Sequence, residues 1–379
     1  MTTTQPKIQM VDLIGQYQKI EEEIQAGWAE VLKTGAFING PAVKAFMAHL
    51  ETYLGVAHAL PCGNGTDALQ IAMMALDLQP GDEVITVPFT FVATAEIVAL
   101  LGLKPVFVDV DPQTFNMNVC QIEEAITEKT KCILPVHLYG QSSNMESIMA
   151  LANKYDLKVV EDNAQAIGAD YYFQDKQSKK AGGIGHIGCT SFYPSKNLGA
   201  YGDAGALFTN DDELADRIHW IANHGQRYKY QSDYIGVNSR LDSLQAVVLH
   251  AKLKRLDDYI AARNKAADFY DNAFKNHPSL TLPYRAPYSN HVFHQYTLKM
   301  KGNRDGLKEK LWELGIPSMI YYPIPMHLQP AYAEQFGYQK GDFSVSEQLA
   351  EEVISLPMHT ELTEEQLSYV VEHFLQVCG

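Results

Sequence analysis

Short apolar or β-branched runs recur through the first two-thirds of the chain, at residues 56–62, 83–87, 105–110, 131–136, 158–161, 189–193 and 204–209. Most are apolar at successive positions instead of alternating, the pattern of strands buried on both faces. Stretches with apolar residues three and four apart separate several of them, at 65–78, 90–101, 120–127 and 145–155. Another covers 12–33 and is closed by Gly35. Strand and helix in repeated alternation predict an α/β fold whose large domain carries a seven-stranded, mostly parallel sheet covered on both faces.

Past residue 238 the pattern changes. A long helical periodicity spans 239–276, followed by a Pro/Tyr-rich turn at 283–288, a strand candidate at 295–300, a helix at 305–314 and two more helices. This predicts a smaller C-terminal α+β domain, with the large domain over 1–250 and the small one over 251–379. No repeat or low-complexity linker separates them, so the domains are expected to pack together.

Composition narrows the function class. The 379 residues are 46% hydrophobic and 20% charged, ordinary for a globular chain with ample core. Lys plus Arg number 30 against 45 Asp plus Glu, a formal charge of −15 that disfavours a nucleic-acid partner while leaving room for a local basic pocket. The five cysteines are scattered without a Cys-x-x-Cys pair, as expected of reduced thiols, and no His/Cys/Asp cluster has metal spacing, so no metal is expected. Residues 1–7 lack the layout of a signal peptide, and no apolar stretch approaches the roughly 20 residues that cross a bilayer. A soluble, cytoplasmic protein with no membrane partner is the expectation.

Four segments could carry chemistry. Gly183-Ile184-Gly185-His186-Ile187-Gly188 has the spacing of a dinucleotide fingerprint, but a polar segment precedes it and a strand follows, the reverse of the required context. A loop entering a strand is the better reading. Cys62-Gly63-Asn64-Gly65-Thr66-Asp67-Ala68 follows a strand and opens a helix, which suits either an anion cradle or a plain turn capped by Thr66 or Asp67. Residues 159–166 end a strand in Glu161 and Asp162, one facing each side of the sheet; the inward carboxylate is either a ligand group or a helix cap. Lys196 sits alone after the strand at 189–193, among hydroxyls and small residues, where partial desolvation makes an amine nucleophilic. Phosphate cradle, strand-end Asp and reactive Lys, in that order, are the fixed points of a pyridoxal 5'-phosphate (PLP) site. His137 and Tyr139, at the end of the strand at 131–136, are expected to face the same crevice, while His224 before Gly225 reads best as a helix end.

The ordered segments Gly65-Thr66-Asp67-Ala68-Leu69, Pro88–Thr94, Glu161–Gln165, Ser191–Lys196, Gly202–Gly205 and Asn238–Asp242 resemble those of the DegT/DnrJ/EryC1/StrS nucleotide-sugar aminotransferases, PLP enzymes of fold type I. The resemblance covers nearly the whole chain. It implies that Lys196 is the catalytic lysine, bonding the cofactor and then moving the proton. It also implies that Asp162 holds the ring nitrogen, Gln165 the ring hydroxyl and Phe91 a ring face, while Gly65, Thr66 and Ser191 bind the phosphate. Asn238 would reach the phosphate in the other subunit, making a homodimer with shared sites. Relatives that dehydrate sugars carry His at the position of Lys196, so its retention implies a transaminase. Asn163 departs from a common alanine.

The segments 64–70, 209–215, 224–226, 236–240 and 322–325 look most like those of the branch that makes 3-amino sugar uronates, which implies UDP-2-acetamido-2-deoxy-3-oxo-glucuronate as acceptor and glutamate as amino donor. Arg240 is then the expected carboxylate partner, and its alternative is a salt bridge with Asp242. Tyr321, Tyr322 and His327 complete the expected substrate set. A dTDP-3-keto or UDP-4-keto-6-deoxy-hexose, and a PLP-binding regulator without turnover, remain the alternatives.

Overall fold

In the computed structural model, which describes residues 6–378, the seven runs form one sheet. Residues 1–5 of the N-terminal stretch lie outside the described residues. The strands are β1 (His58–Cys62), β2 (Glu83–Thr86), β3 (Lys104–Phe107), β4 (Thr130–Ile133), β5 (Lys158–Asp162), β6 (Ile187–Ser191) and β7 (Gly205–Thr209). Their spatial order is β1-β7-β6-β5-β4-β2-β3. The pairs from β6 through β3 are parallel, and β7 runs antiparallel to both β6 and β1. Every residue of β2 and β7 is buried, as expected when helices cover both faces of the sheet.

The periodicity predicted one helix over 12–33, and the structure has two, Leu13–Gln18 and Glu21–Thr34. The break falls where Ile20 leaves helical geometry and turns into a core with Ile24 and Val248. Three glutamates then open the second helix, where the dipole favours them, and Gly35 closes it at φ 66°. The stretch 239–276 likewise divides into Ser243–Leu253 and Leu256–Phe274. At the break Lys254 and Arg255 both bond Glu23, at 2.6 and 3.0 Å. The first of these helices buries Ala246, Leu249 and Leu253 in the core beside β7, whereas the second carries Ala266, Tyr270 and Phe274 into the C-terminal core.

Helix Pro41–Leu54, between Gly40 and a left-handed Gly55, went unassigned from sequence although Pro at its first turn and Gly at its end are its signals. The helix expected over 120–127 shrinks to a 3-10 turn, Val119–Gln121, and one helical turn, Ile122–Ala125. Strand Tyr296–Met300 pairs with Leu280–Thr281 and with Val353–Leu356, forming a small antiparallel sheet packed under helices Arg304–Glu313 and Glu364–Val377. Among the described residues no helix is long and apolar enough to cross a membrane, and no group of three or more His, Cys, Asp or Glu side chains is arranged to hold a metal.

Candidate active site

At the end of β5 the two carboxylates point to opposite faces. Glu161 is fully buried behind the sheet. Its Oε1 accepts from the N–H groups of Ile184 at 2.7 Å and Gly185 at 2.5 Å, and its Oε2 accepts from the Gly182 N–H and His137 Nε2, both at 2.8 Å. The Nδ1 of His137 accepts from the Ser143 N–H at 3.1 Å, which fixes the ring proton on Nε2. The glycine-rich loop therefore cradles an anion, but the anion is the protein's own carboxylate. At Gly188 a Cβ would lie 1.9 Å from the Gly182 carbonyl oxygen, so the fingerprint-like spacing reflects close packing of this loop. His137, expected in the crevice, lies behind it because Glu161 needs a fourth donor there. Asn163 also faces away, donating to the Ala181 carbonyl at 3.0 Å.

Asp162 faces the other way, into a cavity of about 890 Å³ at the C-terminal ends of the strands. Its Oδ2 accepts from the Thr94 hydroxyl at 2.8 Å and its Oδ1 from the Ala164 N–H at 3.2 Å. Burial raises its carboxyl above the usual range, and these donors with the Lys196 charge oppose that rise without cancelling it. Lys196 lines the same cavity, presented by a loop leaving β6 in which its N–H donates to the Tyr193 carbonyl at 2.8 Å. Desolvation pulls its amine down to about 8, against the opposing pull of Asp162.

The floor is the start of helix Gly65–Ala75. Asn64, not Thr66 or Asp67, is its cap: the side-chain oxygen accepts from the Asp67 N–H at 2.8 Å. Cavity-lining Gly65 lies so close to Ser191 that a Cβ would sit 2.6 Å from the serine Cβ, which brings backbone, Thr66 and the Ser191 hydroxyl around one small space. Gln165 is held at both ends, its Oε1 by the Tyr139 N–H and its Nε2 by the Tyr322 hydroxyl, each at 2.8 Å. Tyr139 is buried and supports the wall instead of lining it, donating its hydroxyl to the Tyr321 carbonyl at 2.6 Å. Phe91, 55% exposed, lies in the cavity lining, as do Tyr321 and Tyr322.

The residues fit PLP on their own chemistry. A buried carboxylate suits a protonated ring nitrogen, a weakly basic amine suits an aldehyde, and the floor fits a phosphate at a helix N-terminus where a side chain at Gly65 would not.

Besides His137 and Tyr139, three expected residues lie outside this cavity. Asn238 is exposed and pairs by backbone with Asn223. Arg240 lines a separate cleft with Lys44 and His219; its Nη2 donates to the Asn223 side-chain oxygen at 3.0 Å, while its buried Nε has no partner among the described residues. His327 is fully buried against Phe343, with Nε2 3.0 Å from Glu347, because the 3-10 turn Met326–Leu328 directs it under helix Ser344–Glu352. That placement removes His327 from the substrate set. His224, at φ 61°, is exposed and follows helix Asp212–Ala222 closely, as its helix-end reading had it. Sequence reasoning missed Thr94, His294 and Gln295. Thr94 meets Asp162 across 68 residues of chain, a contact that no local pattern signals.

Residues 18–375 match the DegT/DnrJ/EryC1/StrS aminotransferase family. A Geobacillus stearothermophilus protein named pleiotropic regulatory protein is 47% identical, over 96% of this chain and 97% of its own length. The UDP-2-acetamido-2-deoxy-3-oxo-D-glucuronate aminotransferase of Pseudomonas aeruginosa is 46% identical over 93% of this chain and 95% of its own. A UDP-N-acetyl-3-dehydro-α-D-glucosamine 3-aminotransferase of Acidithiobacillus ferrooxidans is 45% identical over 97% of both. Among solved structures, S. venezuelae DesV in complex with a ketimine intermediate superposes with a TM-score of 0.94 at 36% identity, covering 98% of this chain and 99% of that one. Matched from end to end and carrying the lysine, carboxylate and phosphate cradle in one cavity, the chain belongs to the DegT/DnrJ/EryC1/StrS family of PLP-dependent sugar aminotransferases.

Proposed function

We propose that the protein transfers the amino group of L-glutamate to C3 of UDP-2-acetamido-2-deoxy-3-oxo-glucuronate, in the cytoplasm, as a homodimer with shared active sites, on a route to cell-surface polysaccharide. The observation that carries the reaction type is the desolvated Lys196 beside buried Asp162 above a helix-start anion cradle. The position of amination rests on relatives: the P. aeruginosa and A. ferrooxidans proteins are both named for 3-oxo or 3-dehydro sugars. Identity hardly separates the two relatives, at 46% and 45%, so the uronate rests on Arg240, whose guanidinium has spare hydrogen-bonding capacity.

Bound PLP supplies an aldehyde that captures amines and a ring that takes up the electron pair left when a neighbouring C–H bond breaks. The chain's residues do the rest. At pH 7 an amine of pKa about 8 is about one-tenth neutral, against about three parts in ten thousand at the ordinary 10.5, so Lys196 has a usable nucleophilic fraction. The same amine takes a proton from the donor carbon and returns it on the far side of the transfer. Asp162, aimed by the Thr94 hydroxyl, keeps a proton on the ring nitrogen. Gln165, already fixed at both ends, offers its amide to the ring hydroxyl, and Phe91 covers one ring face. Tyr321 and Tyr322 meet the sugar.

Asn238 and Arg240 stand outside their own cavity two residues apart on an extended segment, so their side chains share one face. That supports their acting together in the partner's site. A panel of purified keto-sugar nucleotides with glutamate tests the reading. The uronate should be aminated fastest; faster turnover of UDP-N-acetyl-3-dehydro-glucosamine would move the assignment to the neutral sugar, and no turnover of any 3-keto sugar would refute it.

A further inference from the structure

Lys252 is fully buried on the last turn of helix Ser243–Leu253, and among the described residues it forms no ion pair. Burial alone moves its amine down to about 7. An unpaired amine is costly to bury, and a methionine would fill the same space without that cost. What Lys252 gains is one backbone group: its Nζ donates to the Gly199 carbonyl at 2.7 Å, with the Tyr201 ring centre 4.5 Å away.

Gly199 closes the loop that carries Lys196. The loop's base is held by the Ala200 N–H on the Phe192 carbonyl at 2.7 Å, and its far side by Asn197 Nδ2 on the Val292 carbonyl at 2.9 Å. The chain doubles back so tightly that a Cβ on residue 199 would lie 2.2 Å from the Pro194 carbonyl oxygen. Two turns before Lys252 on the same helix, Gln245 accepts from the Tyr201 N–H at 2.8 Å. One helix face thus grips the loop's return at residues 199 and 201.

We propose that Lys252 is a positioning residue for Lys196: by holding the Gly199 carbonyl it fixes the return of the loop, and so keeps the Lys196 amine turned into the cavity. This rests on Lys196 being the lysine that bonds PLP. Without the donor, the buried Gly199 carbonyl has no partner and the loop relaxes to find one. The amine then spends less time in reach of the aldehyde, while the helix-start part of the phosphate cradle, Gly65 and Thr66, lies on a separate element.

The test uses cofactor-free protein mixed with PLP, with covalent coupling to Lys196 followed by visible absorbance, alongside steady-state kinetics. Lys252→Met should slow coupling at least tenfold and lower kcat by a similar factor, with the KM for glutamate within twofold of wild type. Val248→Ala, a cavity in the same helix, serves as the stability control and should lower Tm while leaving coupling and kcat within twofold. Lys252→Met coupling within twofold of wild type, or equal slowing by both variants, overturns the proposal. If Lys252→Met gives no folded protein, Lys252→Gln, with a donor on a shorter arm, is measured and judged by the same two criteria. Failure of the wild-type protein to couple at all would instead count against the functional reading of Lys196.

Discussion

Glu161→Gln isolates the support behind the site from the site itself. The carboxylate accepts four hydrogen bonds, two on each oxygen, all from groups that can only donate in their present arrangement. A glutamine has one oxygen, so its NH₂ must face two donors whichever way it turns. If it faces Ile184 and Gly185, both are backbone N–H groups and neither can adapt. If it faces Gly182 and His137, the imidazole can shift its proton only by abandoning its bond from the Ser143 N–H. Two charge-assisted bonds at about 1.5–3 kcal/mol each are lost, and two buried donors meet a third. Removing a buried charge offsets part of this, leaving roughly 2–4 kcal/mol of destabilisation.

Chemical unfolding should show this as a lower midpoint with an unchanged slope. The pH dependence gives a second check. Burial raises the Glu161 carboxyl, but His137 and the N–H groups of Gly185 and Gly182 outweigh it, so its folded pKa lies below the ordinary 4.5. A depressed carboxyl contributes stability in full above the unfolded value, and loses it as pH falls through the folded one. The gap between wild type and variant should therefore be constant at neutral pH and narrow below about 4.5. A loss under about 1 kcal/mol, or a gap that widens on acidification, would refute the account of the loop as a carboxylate clamp.

Three further outcomes are expected. Asp162→Asn should lower kcat at least a hundredfold with a far smaller loss of PLP affinity, measured by turnover and by equilibrium dialysis; near-normal turnover would reduce Asp162 to a helix cap. Mixing Lys196→Ala with Asn238→Ala chains should restore part of the activity neither has alone, because the mixed dimer carries both lesions in one site and none in the other; verified mixed dimers without recovery would put Asn238 in its own subunit's site. Arg240→Lys should cost the uronate tenfold to about 150-fold in kcat/KM, the value of a bidentate pair of about 1.5–3 kcal/mol, with little effect on the neutral 3-keto sugar; equal losses on both would remove the carboxylate role.

The sheet was legible because a strand covered on both faces leaves an unbroken apolar run, and all seven runs became its strands. Helix breaks were not legible, since Ile20 and Arg255 look like any helical residue until their partners, Val248 and Glu23, come from elsewhere in the chain. Val353–Leu356 is only four residues long and comes directly after helix Ser344–Glu352, so no separate run marks it as a strand in the sequence. In the site, Lys196, Asp162, Gly65 and Thr66 stood out because each sits where a strand gives way to a loop or a helix. His137 and His327 misled for one reason: a histidine near a predicted crevice looks available until a glutamate, Glu161 or Glu347, is found against it.

The charge distribution gives an independent argument for a shared site. The chain carries a net −15, and its proposed ligands bring a cofactor phosphate, a diphosphate and a uronate carboxylate. Against all of these, Lys196 is the only Lys or Arg among the described residues lining the cavity, and it faces Asp162. Helix-start N–H groups offset one phosphate, not four anionic groups. Arg227, Lys229 and Arg240 lie on the segment that also bears Asn238, all outside the cavity of their own chain. For the proposed ligands, this shortage of cations favours the proposed dimer, in which that segment would supply Arg227, Lys229 and Arg240 from the partner chain. In the proposed dimer this arrangement would also serve selectivity: cations brought by the partner's segment attract a polyanionic nucleotide sugar locally, while an acidic surface disfavours nucleic acid.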